Sequence, residues 1–425
     1  MSVTSASMQS SRFDLAADPA LPQRDLLLDD RQMAGRFSLL LSRHGSSVID
    51  GCEKQRIKYR IGESLRVLYR VSVNGRPRLI AAKAFAEPRT SAAAGARGTF
   101  EQKSGQFFDG DLRAAFWDCS NDRKIEHLSL LREKPETLSR VLGDKWHRSE
   151  DVAYLPEKCA TVRCVNRNGQ AIGYAKMYAT EARSIYSTYL QLASACPRIV
   201  KPLEYSESHR LLLLSAVSGS RIADLKRKEL IDGLAGLAQT LAYLHSVPIP
   251  SQLPRFYRHD PDRLHKCARI VGLARPDVAA LASELDGELR SSVPPADHSV
   301  CLHGDVHPKN GIAVNGLVTL IDLDQSAVGP AAADLGSLLA LLHYNWRIGQ
   351  LTRRKERQFA TAFLNAYAGS RQLPTQRSLS WHTAAALLSE RALRSVNRIR
   401  PEGLHHLSQL LDDAREILRT GGVKS

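Results

Sequence analysis

Three oxygen-bearing side chains stand at a spacing that suits phosphoryl transfer from a nucleotide. Asn310 follows Asp305 by five positions, and Asp322 follows Asn310 by twelve. This chemistry needs a carboxylate beside the attacking hydroxyl, and an amide and a second carboxylate that hold Mg²⁺ on the phosphates. Residues 311–320 contain an Asn-Gly pair between apolar positions, which predicts a β-hairpin ending just before Asp322. The alternative is a solvated acidic hairpin between two helices, and the ordered set of side chains favours an active site.

The motifs of this region resemble those of a known superfamily. HGDVHPKN, IDLD and GPAAADLG occur in this order, which is similar to the aminoglycoside phosphotransferase/choline kinase-like small-molecule kinases. The resemblance implies an α+β, bilobal protein-kinase-like fold with a small antiparallel β lobe and a large, mainly helical lobe. It also implies a role for five side chains: Asp305 as catalytic base, Asn310 and Asp322 as Mg²⁺ ligands, Asp324 as a second acid at the metal, and Asp334 as a brace of the catalytic loop.

The same resemblance implies cofactor contacts. A run of four leucines reads as a buried strand that passes into an interlobe hinge, where backbone groups near Ser215 and Val217 would bind the adenine edge. Lys176, on a strand after an Asn-Gly turn, would offset charge on the α- and β-phosphates. Glu181 is the candidate for the acidic partner of this lysine. His303 opens the catalytic motif and is grouped with the nucleotide contacts.

The hairpin that carries Lys176 has a second copy in the chain. Residues 59–85 and 154–178 share a tyrosine, an apolar strand, an Asn-Gly pair and an Ala-Lys pair on the return strand. Only the second copy is followed by the helix, strands and hinge of a small lobe, so Lys83 is expected to be structural, with a swapped assignment as the alternative. The arrangement resembles the N-terminal cap of maltokinase-like members. No Gly-x-Gly-x-x-Gly phosphate loop precedes the hairpin that carries Lys176.

These patterns predict four segments along the chain. They are an N-terminal tail and helix (1–55), a cap-like first β repeat and linker (56–150), a kinase small lobe and hinge (151–218), and a helical large lobe (219–425). Finer predictions are disorder over 1–20, a helix over 26–41, a flexible stretch over 91–98, a helix over 135–142, a strand over 198–205 and a core helix over 229–245. Three further helices, 357–367, 381–397 and 404–418, would line the acceptor pocket by resemblance.

Composition limits the other classes of function. The net charge of +15 comes from dispersed basic residues without an aromatic-interleaved basic run, which argues against a nucleic-acid partner. This positive surplus suits ATP or an anionic acceptor and disfavours a polycationic aminoglycoside. No apolar run is long enough for a membrane span. The start of the chain lacks the pattern of a secretory signal, and the seven cysteines show no metal or disulfide spacing, so a cytoplasmic location is expected.

The sequence therefore predicts a small-molecule kinase. It would move the γ-phosphoryl of ATP, or of GTP, to a hydroxyl of a sugar, a sugar-containing metabolite or an antibiotic, with Mg²⁺ as cofactor. The alternatives are a protein or peptide kinase and a nucleotide-binding pseudokinase that acts as an interaction module. The sequence leaves the acceptor and the oligomeric state open.

Overall fold

The computed structural model describes residues 14–42, 48–86, 106–138, 145–255, 259–295 and 297–421. Within these residues the chain forms two compact units. The first contains the chain up to 123 together with 270–279 and 394–405, and the second contains 124–269, 280–393 and the chain from 406 onward. The predicted flexible stretch over 91–98 and residues 1–13 of the predicted disordered segment lie outside the described residues.

The N-terminal part of the first unit consists of two short helices and a five-stranded antiparallel sheet. Its elements are α1 (Arg24–Leu27), α2 (Asp30–Ser42), β1 (Ile49–Arg60), β2 (Ser64–Val73), β3 (Arg76–Phe85), β4 (Gln106–Asp109) and β5 (Ala114–Asp118). The strand order is β1-β2-β3-β5-β4. The single helix predicted over 26–41 is instead two helices, because the carboxylate of Asp29 accepts hydrogen bonds from the backbone N–H groups of Arg31 and Gln32 and starts a new helix.

The second unit contains a sheet with the same strand order. Its elements are α3 (Leu128–Glu133), β6 (Arg148–Leu155), β7 (Cys159–Val165), β8 (Ala171–Tyr178), α4 (Arg183–Ala195), β9 (Pro202–Ser206) and β10 (Leu211–Ser215). The order is β6-β7-β8-β10-β9, again antiparallel. Lys83 pairs with Arg66 and Ala115 across its neighbouring strands, and Lys176 pairs with Thr161 and Leu212. The two lysines therefore occupy corresponding positions on the third strand of each sheet.

The remaining elements are mainly helices. They are β11 (Ser220–Arg221), α5 (Arg227–Leu244), α6 (Pro261–Ala274), α7 (Ala279–Ser291), β12 (Ser299–Leu302), β13 (Gly311–Val314), β14 (Leu317–Leu320), β15 (Ala327–Pro330), α8 (Ala331–Arg347), α9 (Arg353–Ala368), α10 (Gln376–Ala386), a π-helical stretch (Leu387–Ala392), α11 (Leu393–Asn397), α12 (Pro401–His405) and α13 (Leu407–Thr420). None of the helices in the described part of the chain is long and apolar enough to cross a lipid bilayer.

Helix α5 supports the hairpin that the sequence predicts before Asp322. Its buried face carries the predicted stripe of leucines at positions 234, 237, 241 and 244. The Thr240 hydroxyl donates to the carbonyl of Val318 at 2.9 Å, and a Cβ on Gly236 would lie 2.6 Å from the Gly316 carbonyl oxygen. The helix thus packs directly against β14 and the turn before it. This contact fixes the hairpin on the large helical core.

Two other predicted elements differ in the structure. The strand predicted over 198–205 begins only at Pro202, because the preceding residues pair with the end of β14 instead: Leu320 donates to the Arg198 carbonyl, and Val200 donates to the Leu320 carbonyl. The helix predicted over 135–142 is a single 3₁₀ turn, Pro135–Thr137, and 139–144 lie outside the described residues. A long-range contact thus shortens the predicted strand, and a short turn stands at the start of the predicted helix.

Candidate active site

The predicted catalytic loop leaves β12 at Gly304, where any side chain would force the backbone to move. Gly304 has φ of 77°, in the left-handed region that favours glycine. A Cβ at this position would lie 1.9 Å from the carbonyl oxygen of Gln325. The loop therefore passes against the segment that follows Asp322. This close approach brings the two predicted catalytic segments together.

We expect Gly304→Ala to lower phosphoryl transfer by about 100-fold, because the loop must move away from Gln325 and a displacement of roughly 1 Å has this effect in active sites. Steady-state ADP production measures the loss. Gly287→Ala is the matched control, since Gly287 lies in α7 with nothing within 4 Å of an added Cβ. Full activity of Gly304→Ala would show that the close approach does not position Asp305.

His303 links the loop to the hairpin through both nitrogens of its ring. Nε2 donates to the Ile321 carbonyl at 3.0 Å, so Nδ1 is the acceptor, and it receives the backbone N–H of Asp305 at 3.3 Å. The side chain is fully buried. Both ring nitrogens are thus used within the protein, which favours a positioning role over the nucleotide contact expected from the sequence.

Asp334, at the start of α8, holds the catalytic loop by its backbone. Its carboxylate accepts the N–H of His303 at 2.7 Å and the N–H of Gly304 at 3.0 Å. His245 Nε2 lies 3.2 Å away, and its Nδ1 lies 2.9 Å from the Tyr367 hydroxyl. Burial alone would raise the pKa of Asp334. The hydrogen bond and charge of His245, the charge of His303 and the hydrogen bond from Gly304 together outweigh burial and lower that pKa below its ordinary value.

Asp305 and Asn310 lie at opposite ends of one short turn. The side-chain amide of Asn310 donates from Nδ2 to the backbone carbonyl of Asp305 at 3.0 Å, which leaves Oδ1 as the atom that can face a cation. The Asp305 carboxylate is half-buried, with Oδ2 3.6 Å from Nε2 of His307. His307 in turn caps the turn, since its Nδ1 accepts the backbone N–H of Lys309 at 3.2 Å.

The predicted hairpin places Asp322 beside this turn. Residues 315 and 316 form its two-residue turn with φ of 50° and 77°, as an Asn-Gly pair favours. The backbone N–H of Ile321 donates to the Asn310 carbonyl at 3.0 Å, which brings Asp322 next to Asn310. Asp322 itself has φ of 63°, a strained backbone conformation of the kind found at functional sites.

Lys176 reaches this segment from β8. Its Nζ lies 2.9 Å from Asp322 Oδ1 and 2.7 Å from Asp324 Oδ2. Burial alone would lower the pKa of Lys176, but Asp324, Tyr178 and Asp322 outweigh it and raise that pKa well above its ordinary value. Burial would likewise raise the pKa of Asp322, and the ammonium of Lys176 instead lowers it. The structure thus joins Lys176 and the predicted metal segment in one charged cluster.

Glu181 is not brought to Lys176. Its side chain is exposed, and its carboxylate accepts the backbone N–H of Arg183 at 2.7 Å at the start of α4. The expected ion pair is therefore replaced by the aspartates after β14. Sequence reasoning also missed Tyr178 and Tyr189, whose hydroxyls contact Asp324 Oδ1 at 3.1 Å and the backbone N–H of Leu323 at 2.9 Å. The sequence signal for them was their position alone: Tyr178 lies near Lys176 on β8, and Tyr189 lies on α4, the helix that follows.

The run of four leucines forms β10, as predicted, and the segment predicted to be the hinge follows this strand. Ser215 ends β10, and its backbone N–H donates to the Lys201 carbonyl at 2.9 Å, so this group is not available to a base. Val217 lies two residues further, half-buried, between β10 and β11. Of the two predicted hinge positions, Val217 therefore remains the candidate for backbone contact with the adenine edge.

The donor set fits Mg²⁺ better than a transition metal. Among the described residues, no three His, Cys, Asp or Glu side chains come together as a metal-binding group. Magnesium is commonly bound through one or two carboxylates, with phosphate oxygens and water completing the coordination. Asn310 Oδ1 and the carboxylate of Asp322 are oxygen donors of that kind.

Solved structures from several organisms are similar to the chain. They include an aminoglycoside phosphotransferase, APH(3'')-Id, from Streptomyces rimosus (19% identity, 63% of this chain and 99% of that chain, TM-score 0.44). A second is a choline/ethanolamine kinase family protein from Mesorhizobium loti (13% identity, 68% of this chain and 92% of that chain, TM-score 0.46). A third is a macrolide 2'-phosphotransferase from Brachybacterium faecium (16% identity, 68% of this chain and 96% of that chain, TM-score 0.40). No curated protein matches the chain.

The sequence profile of a phosphotransferase family matches more than half of the chain. The match covers residues 175–407, which begin within β8 and include the predicted hinge and catalytic loop, the hairpin β13–β14 and the helices α4 to α12. The N-terminal sheet β1 to β5 lies outside the matched residues. The chain therefore belongs to the phosphotransferase enzyme family.

Proposed function

We propose that the protein transfers the γ-phosphoryl group of ATP, or of GTP, to a hydroxyl of a small molecule. A sugar, a sugar-containing metabolite or an antibiotic is the acceptor class that we favour. The observation that carries the proposal is the meeting of Lys176, Asn310 and Asp322 beside the half-buried carboxylate of Asp305. These are the cationic, metal-binding and proton-accepting groups that phosphoryl transfer requires.

In this mechanism the acceptor oxygen attacks the γ-phosphorus, the bond from phosphorus to the bridging oxygen breaks, and ADP leaves. Asp305 orients the hydroxyl and takes its proton. Asn310 and Asp322 would hold Mg²⁺, with Asp324 also in the predicted metal set, and the ion would neutralise charge on the phosphate oxygens. Lys176 would steady the non-transferred phosphates, and the backbone at Val217 would bind the base. Positioning and fixed charge supply most of the rate enhancement.

The positive surplus of the chain favours a neutral or anionic acceptor over a polycationic one. We further propose that the sheet β1 to β5 is a maltokinase-like N-terminal cap. Its place before the family region and its strand order, the same as that of the sheet β6 to β10, support this assignment. The seven free thiols suit a reducing compartment, and we place the protein in the cytoplasm.

Calorimetry with Mg²⁺ and ATP, and then GTP, tests the nucleotide site. We expect the wild type and Lys83→Ala to bind, and Lys176→Ala to bind at least about tenfold more weakly, because one buried charge contact contributes more than about 1.4 kcal/mol. The two lysines occupy corresponding strand positions, which makes Lys83→Ala the matched control.

The outcomes separate the alternatives. ADP release stimulated by a panel of sugars and antibiotics would identify the acceptor. Nucleotide binding without transfer to any hydroxyl compound would favour the pseudokinase alternative. Loss of binding in Lys83→Ala but not in Lys176→Ala would move the nucleotide site to the first sheet and contradict the proposal.

A further inference from the structure

Helix α4 cannot supply the anion that a phosphate-binding lysine needs. Its sequence, RSIYSTYLQLASA, contains no aspartate or glutamate. The nearest preceding acid, Glu181, is exposed and bonded to the backbone at the start of the helix. In protein kinases a glutamate on the equivalent helix pairs with the lysine. The partner of Lys176 must therefore come from another element of this chain.

Two aspartates contact Lys176, and their surroundings differ. The side chain of Asp322 is 44% exposed, whereas that of Asp324 is 10% exposed. Each oxygen of Asp324 already has a partner in the protein: Oδ2 lies 2.7 Å from Lys176 Nζ, and Oδ1 accepts the Tyr178 hydroxyl at 3.1 Å. Asp322 thus has carboxylate surface open to a ligand, and Asp324 is turned inward to the lysine.

Two tyrosines hold this arrangement. Tyr178 lies two positions after Lys176 on β8, so both side chains project from the same face of the sheet. The Lys176 ammonium lies 5.5 Å from the centre of the Tyr178 ring. Tyr189, fully buried on α4, accepts the backbone N–H of Leu323 at 2.9 Å, and Leu323 separates the two aspartates. The helix therefore acts on the cluster through a hydroxyl instead of a carboxylate.

We propose that Asp324, oriented by Tyr178, is the fixed anionic partner that positions Lys176 toward the nucleotide phosphates, and that Asp322 is thereby left to bind the metal. This proposal rests on the proposed function. It replaces the sequence-based role of Asp324 as a metal ligand with that of a positioning residue. It also places the partner of Lys176 two positions from the proposed metal ligand, so that residues 322–324 position both the lysine and the metal ion.

The first test measures Lys176 directly and needs no nucleotide. The full-length protein is treated with a small amine-acylating reagent at alkaline pH, and labelling of Lys176 is followed by peptide mass spectrometry. Removing the charge in Asp324→Asn should speed labelling by about tenfold for each unit by which the pKa of the lysine falls. Asp322→Asn should have a smaller effect, because that carboxylate is more exposed to screening by water.

Matched variants complete this test. Tyr178→Phe removes only the hydrogen bond to Asp324 and should speed labelling in the same direction, which covers the case in which Asp324→Asn does not fold. Glu204→Gln, an exposed acid on β9, controls for charge alone. An effect of Asp322→Asn or Glu181→Gln as large as that of Asp324→Asn would overturn the proposal.

The second test separates the lysine's partner from a metal ligand. Calorimetric titration of Mg²⁺, at an ATP concentration that saturates each variant, should give an unchanged metal midpoint in Asp324→Asn, although this variant needs more ATP for saturation. Asp322→Asn should raise the metal midpoint by about tenfold or more. A raised midpoint in Asp324→Asn would make Asp324 a metal ligand and overturn the assignment. Failure of the wild type to bind nucleotide would contradict the proposed function, whereas the labelling result would stand by itself.

Discussion

Asp305→Asn should lower the rate of phosphoryl transfer by roughly 10²–10⁴-fold, the usual contribution of a general base, and should leave Mg²⁺–nucleotide binding intact. Asparagine has nearly the same volume, but its amide cannot accept the proton of the acceptor hydroxyl. The backbone carbonyl of Asp305 that receives the Asn310 amide is unchanged by the substitution. Steady-state ADP production measures the rate, and calorimetry measures nucleotide affinity.

Asp232→Asn is the matched control for this loss. Asp232 is exposed on α5, so its replacement changes the same charge without touching the site. A variant Asp305→Asn that keeps the wild-type rate would show that another group accepts the proton or that solvent does. Equal losses of rate and of nucleotide affinity would show that Asp305 acts on binding and not on the chemical step.

The sequence predicted the hairpin before Asp322 and the core helix α5 correctly because both are set by local interactions. An Asn-Gly pair requires positive φ at both residues, and the hairpin has 50° and 77° there. The predicted core helix begins at Arg227 and ends at Leu244, within two residues of the expected 229–245, because its leucine stripe has the helical period. Close spacing along the chain was sufficient in each case.

Contacts over long sequence separations could not be predicted in the same way. Lys176 and Asp322 lie 146 positions apart. Closeness in the sequence instead favoured Glu181 as the partner of Lys176. The sequence contains no periodic signal for a carboxylate that turns inward from a loop. The contacts of the Tyr178 and Tyr189 hydroxyls with Asp324 and Leu323 likewise join residues far apart in the sequence, and local patterns contain no signal for them.

The first unit is also built from segments that lie far apart in the sequence, which local patterns do not predict. Residues 270–279 and 394–405 belong to it, although they follow the N-terminal sheet by more than a hundred positions. The backbone N–H of Ala16 donates to the Ala274 carbonyl at 2.8 Å, and Arg275 donates to the Leu404 carbonyl at 2.8 Å. A linear division of the sequence into consecutive segments contains no information about such contacts.

Asp334→Ala should destabilise the protein by about 3–5 kcal/mol, the usual result of removing one member of a buried, hydrogen-bonded charged group. The N–H groups of His303 and Gly304 and the ring of His245 would all lose their acceptor. Thermal unfolding measures the loss of stability. Hydrogen exchange should show faster opening of the two amides, and ADP production should fall because the loop that carries Asp305 is no longer held.

The pH dependence of this effect follows from the charge. The folded protein lowers the pKa of Asp334 below its ordinary value of 3.8. The carboxylate therefore contributes fully to the free energy of unfolding above about pH 3.8, and this contribution is lost as the pH falls through the pKa of the folded state. The difference in melting temperature between the wild type and Asp334→Asn should therefore be constant near neutral pH and shrink in acid. Glu204→Gln, an exposed charge change, should show no such trend. A difference that persists unchanged in acid would mean that the amide oxygen replaces the carboxylate and that its negative charge contributes nothing to holding the catalytic loop.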